Sequence, residues 1–112
     1  MLTEQEIELM EHALGLPHSW DTYGYHYKRH GKQYIKSYRN YFQTQVGDEN
    51  YNIWNDLLLE GLANSWINTN NGKCYPYFEV SDKGIKELEK ERNYVIRFIK
   101  WYYNRWGRFK NG

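Results

Sequence analysis

Four stretches of the chain keep apolar residues three and four apart, the spacing that gives a helix one buried face. In the first, Thr3 and Glu6 form a Thr-x-x-Glu capping box, and Leu2 and Ile7 stand where a hydrophobic staple belongs. Ile7, Met10, Ala13 and Leu14 carry the stripe, and Gly15, Leu16 and Pro17 stop it, which predicts a helix over 3–14. In the second, over 32–44, Tyr34/Ile35, Tyr38 and Tyr41/Phe42 share the spacing. A turn with Gly47 follows, and Asp48 is a good N-cap for a third helix over 49–62, with Tyr51, Trp54, Leu57, Leu58 and Leu62 on one face. Helix, short glycine turn, helix is the helix-turn-helix pattern. In the fourth, Ser81 caps a stripe at 85, 88, 92, 95, 99, 102 and 106, apolar or aromatic except at Arg92. Phe98, Trp101 and Phe109 add a second stripe, so a long helix over 82–106 is predicted, buried on two sides or shared with a partner chain.

Between the third and fourth stretches the period changes. "SWI" and "YPYFEV" read as strands, and "NTNNGK" between them contains Asn71-Gly72, a strong hairpin signal. Pro76 restricts its strand to an edge or a start. Residues 18–31 read as a loop with a possible strand, because Tyr23, Tyr25 and Tyr27 alternate while Gly24 and Gly31 interrupt. The expected architecture is therefore one α+β domain over 1–112, mostly helical. It is a winged helix-turn-helix with a two-stranded β-hairpin wing, an aromatic and basic insertion at 18–31, and a long C-terminal helix.

The run "LLLEGLANSW…YFEVSDKGIKEL" resembles the wing region of MarR- and PadR-like winged-helix proteins. Leu58, Gly61 and Leu62, the hairpin at Asn71-Gly72, and Ser81 with Gly84 carry that likeness. Gly84 would let the last helix start close against the sheet. The whole chain is also similar to a group of small bacteriophage and prophage proteins, through "HALGL" at 12–16, "YRNYF" at 38–42 and "VSDKGIKEL" at 80–88. The resemblance implies a winged-helix fold and a phage origin, and leaves activity open.

Composition narrows the class. The chain has 112 residues, enough for one modest core, and twelve Tyr and five Trp that suit either a core or a contact surface. Cys74 stands alone and fits a reducing compartment, no window reads as a membrane span, and the acidic N-terminus does not read as a signal peptide. These features point to a soluble intracellular protein, and the phage resemblance implies the cytoplasm of a bacterial host. The net charge of +1 hides segregation. Residues 1–17 and 46–70 are acidic, whereas 18–45 and the chain from Arg92 onward are basic. Solvated faces explain such zones, and so does an anionic partner.

Two partner classes follow. For DNA, Asn50, Asn52 and Asn55 would face bases, with Arg39 and Lys73 on phosphates. Asp48, Glu49 and Asp56 on the same helix oppose that role and are explained by the helix dipole. The patch Tyr25, Tyr27, Lys28, Arg29 and Lys32 mixes rings with cations, a composition for phosphate contact and stacking. For a protein, the chain would block a host or defence protein, with acidic helix and surplus aromatics as contacts. A homodimer could form through Val95, Ile99, Tyr102 and Trp106 of the last helix. No cofactor, metal or enzymatic activity is expected. His26 and His30 are four apart but beside glycines, and no phosphate loop, dinucleotide fingerprint or nucleophile elbow occurs.

Overall fold

A computed structural model of the chain describes residues 1–16 and 26–98. These form α1 (Glu4–Ala13), β1 (His26–Arg29), β2 (Lys32–Ser37), β3 (Phe42–Gln43), α2 (Glu49–Leu59), β4 (Ala63–Asn70), β5 (Lys73–Val80), α3 (Asp82–Arg92) and β6 (Val95–Phe98). There are two three-stranded sheets, β1-β2-β6 and β3-β5-β4. β6 runs parallel to β2, and the other pairings are antiparallel.

The fold is thus α+β with short helices, not the mostly helical winged helix-turn-helix expected. Three particulars differ. The stretch 32–44 is strand rather than helix: Ile35 and Ser37 are buried while Tyr34 and Lys36 turn outward, a period of two hidden under the tyrosine spacing. With no helix there, α2 has no partner for a helix-turn-helix, because β3 ends only at Gln43. The helix expected over 82–106 is also cut short. α3 ends at Arg92, Asn93 adopts the left-handed conformation (φ 56°), and β-branched Val95 and Ile96 pair with Tyr34 and Ile35. The Ile96 N–H donates to the Glu89 carboxylate at 2.8 Å, which fixes the reversal.

Other expectations meet their residues. Thr3 and Glu6 exchange both capping-box hydrogen bonds. Asn71 and Gly72, both at positive φ, turn the β4–β5 hairpin, though β3 adds a third strand along β5. α1 and α2 end alike, at Gly15 and Gly61, both left-handed. Leu16 N–H donates to Glu11 O and Leu62 N–H to Leu57 O, the six-to-one bonds of a Schellman motif.

One cluster forms the core, from α1, α2 and the inner faces of both sheets. Trp54 is fully buried at its centre, stacked on Phe78 at 5.5 Å and tilted against Phe42 at 5.7 Å. The start of α3 seals one edge. The Ser81 hydroxyl accepts from the Gly84 N–H at 3.0 Å and donates to the Gly61 carbonyl at 2.7 Å. Its own N–H donates to the Leu62 carbonyl at 3.0 Å. α3 consequently passes so close to Leu62 that a β-carbon on Gly84 would land on the Leu62 carbonyl oxygen.

Buried Asn40 closes another edge. Its amide donates to Val80 O at 2.9 Å, and its oxygen accepts from Val80 N at 2.8 Å. The side chain thereby stands in for the next backbone pair of the β3–β5 ladder, whose register runs Phe42 to Phe78.

Two outcomes follow for stability. Alanine normally improves a helix over glycine by about 1 kcal/mol. Gly84→Ala is instead expected to destabilise by at least about 2 kcal/mol through overpacking against backbone, read as a lower denaturant midpoint. Asn40→Ala strands both buried polar groups of Val80 and is expected to cost about 2–4 kcal/mol. An unchanged midpoint for either variant contradicts these contacts.

Candidate functional site

The β1–β2 hairpin turns on His30 (φ 51°) and Gly31 (φ 78°), a two-residue turn with both angles positive. That turn type matches the natural twist of paired strands and fixes the register. Tyr27 lies opposite Tyr34 and Arg29 opposite Lys32. On the other side of β2, Tyr34 lies beside Val95 and Lys36 beside Arg97. Ile35, Ser37 and Ile96 point into the core. Alternation then turns Tyr27, Arg29, Lys32, Tyr34, Lys36 and Arg97 outward on one face.

The Tyr27 and Tyr34 rings stack at 5.1 Å, within 7° of parallel. The Arg97 guanidinium lies 5.4 Å over Tyr34, and the Lys36 ammonium 5.8 Å over Tyr27. These are cation–π distances, so the rings hold two of the four cations in place. The three strands contain no carboxylate. Among the described residues, none of Arg29, Lys32, Lys36 and Arg97 is in an ion pair. Below the hairpin turn, a groove of about 500 Å³ extends the basic surface past Lys28 and Lys32 toward Asn93 and Tyr94.

Other charges are committed to the fold. Arg92 pairs with Glu4 at 2.8 Å and reaches Glu11 at 3.8 Å. The buried Tyr94 hydroxyl donates to Glu11 at 2.8 Å, and burial together with that carboxylate pushes the phenol far above its usual range. The outward face of the second sheet also carries a ring pair, Trp66 and Tyr77 at 5.5 Å. Around that pair stand Asn64, Asn68, Gln43, one acid (Glu79) and one base (Lys73), so it has no positive bias.

The residues expected to contact DNA do not converge. Arg39 donates twice to the His12 carbonyl, at 2.6 and 3.2 Å, and closes the end of α1. Asn50 lines a groove of about 420 Å³ between α1 and α2, with Glu8 and Glu49 in its walls. Asn52 is exposed, and Asn55 is half-buried and donates to the Tyr51 carbonyl one turn back. Lys73 is exposed beside the β4–β5 turn. The basic aromatic patch fares better. Tyr27, Arg29 and Lys32 share the outward face, while Lys28 falls on the opposite side and lines the lower groove. Tyr25 lies outside the described residues.

The proposed dimer helix is replaced at Val95, which sits in β6 beside Tyr34. Ile99, Tyr102 and Trp106 lie outside the described residues. Tyr34, Lys36 and Arg97 are not among the five residues named for that patch. The first two were accessible from the His30-Gly31 turn, since a two-residue hairpin assigns both strands' faces at once. Arg97 depends on a parallel pairing that no local pattern announces.

The face carries a stacked ring pair and four cations, two of them held over the rings. Among the described residues no group of three His, Cys, Asp or Glu could hold a metal ion. No helix among them is long and apolar enough to cross a membrane. No protein-family model, curated protein or solved structure matches the chain.

Proposed function

We propose that the protein is a non-enzymatic nucleic-acid-binding module of the cytoplasm, and that it holds its ligand on the outward face of the β1-β2-β6 sheet. One observation carries this reading: four cations that form no ion pair among the described residues surround a stacked tyrosine pair on strands that contain no carboxylate. A row of fixed cations favours a repeating anion, because each phosphate neutralised releases a counterion. From Lys32 to Lys36 the face spans about 13 Å of strand, longer than a single small anion needs.

Charge elsewhere supports the same orientation. α1 carries Glu4, Glu6, Glu8 and Glu11, and α2 carries Glu49 and Asp56. Those helices repel a polyanion, so the sheet is the side it would meet. Base reading by Asn50, Asn52 and Asn55 has less support, since the exposed side of α2 is acidic and no helix precedes it in a helix-turn-helix.

The test is a titration with labelled mixed-sequence nucleic acid over a range of salt. Affinity is expected to fall steeply as salt rises. Lys36→Gln and Arg97→Gln should each weaken binding and flatten the log–log salt slope by about 0.7–0.9, while Lys73→Gln should leave both unchanged. Salt-independent binding, or a loss with Lys73→Gln alone, contradicts the reading. Absence of binding moves the case to capture of a host or defence protein.

A further inference from the structure

We infer that the ligand of this sheet face is a single strand, with one unpaired base stacked on Tyr27. This rests on the nucleic-acid reading above and specifies which form is bound.

Arg97 covers one side of Tyr34, and Tyr27 covers the other. Among the described residues, strand order β1-β2-β6 makes β1 the sheet edge, so Tyr27 ends the row that starts at Arg97. Of those residues only Lys36 also approaches the Tyr27 ring, its ammonium 5.8 Å from the ring centre, and an arriving base would displace it toward a phosphate. A flat base extends the row by one more layer, and ring-on-base stacking needs no particular sequence because every base has a π-face. In a duplex the base faces are occupied by their neighbours, and only phosphates would remain for this surface.

The cations sit where a strand threaded past that base needs them. Arg29 and Lys32 lie at the turn end of the hairpin, and Lys36 and Arg97 at the opposite end, with the tyrosine pair between them. A backbone running along the hairpin would meet a positive charge before the base and another after it. Flatness matters too. Major-groove readers insert a helix or a narrow two-stranded ribbon. Here three adjacent strands share one face, which suits laying a strand across rather than entering a groove. The second ring pair, Trp66 with Tyr77, shows the contrast: it has the stack but one acid and one base around it.

The experiment compares an oligothymidine with a blunt duplex of equal length, both labelled, on the full chain at one moderate salt concentration. The oligothymidine is expected to bind at least about tenfold more tightly, within the range that one stacked base supplies. An abasic strand of the same length, with the protein unaltered, should lose the advantage over the duplex while keeping the salt dependence. Tyr27→Leu should cost about 5- to 150-fold on the single strand, weaken the duplex much less, and be restored by Tyr27→Phe. Equal affinity for both forms overturns the single-strand inference and leaves the phosphate-binding face standing. An abasic strand that binds as tightly as the oligothymidine, or a preference that survives Tyr27→Leu, also overturns it. Binding to neither form overturns the inference together with the reading beneath it.

Discussion

The last turn of α1 is the junction on which both sheets depend. A helix leaves its final carbonyls without partners inside itself. Here the chain between β2 and β3 crosses that end and supplies them. The Ser37 hydroxyl donates to Leu14 O at 2.6 Å, Arg39 to His12 O at 2.6 Å, and the Tyr41 N–H to Ala13 O at 3.1 Å. Between these residues Asn40 reaches the other way and locks onto Val80 of β5. Five consecutive residues thus tie one helix end to one sheet while delivering the chain to the other. Gly15 is pressed into the same junction, since a β-carbon there would strike the Tyr38 ring. Because Ser37 ends β2, the anchor also fixes where the outward face of the first sheet begins.

That dependence explains what could be seen in the chain beforehand. Signals confined to a few neighbouring residues were legible: the Thr3–Glu6 box, the glycine stops at Gly15 and Gly61, the Asn71-Gly72 turn, and the tight approach at Gly84. Signals that require distant partners were not. Tyr34, Tyr38 and Tyr41 suggest a helical stripe, yet Tyr38 and Tyr41 lie at the surface, 36% and 37% exposed, and flank Arg39 at cation–π distance. The period-two set Ile35 and Ser37 wins because Ser37 has a buried acceptor waiting in α1. The stripe from Ile85 onward continues in spacing past Arg92, but Asn93 can turn left-handed and Val95 finds an open edge of β2. Tertiary pairing overrides helical spacing at both places.

The same two revisions create the candidate site. As a helix, residues 32–44 would scatter Lys32, Lys36 and Arg39 around a solvated surface. As a strand, they align Lys32 and Lys36 beside two stacked rings, and Arg39 is withdrawn to hold α1. Ending α3 at Arg92 frees residues 95–98 to bring Arg97 onto the same face. Charge segregation seen along the chain becomes segregation in space: acidic α1 and α2, and a sheet with cations and no carboxylates. The proposed nucleic-acid binding on that sheet rests on how the fold sorts charge and aromatic area, and it calls for no recognition helix.

The most direct measurement is a residue-by-residue map of contact in solution. Amide resonances of the isotope-labelled chain would be followed while an unlabelled single-stranded oligonucleotide is added. The account predicts shifts concentrated in 27–36 and 95–98, with α1 and α2 unmoved. Shifts centred on α2 or on the Asn71–Lys73 turn, with the first sheet unmoved, would contradict it.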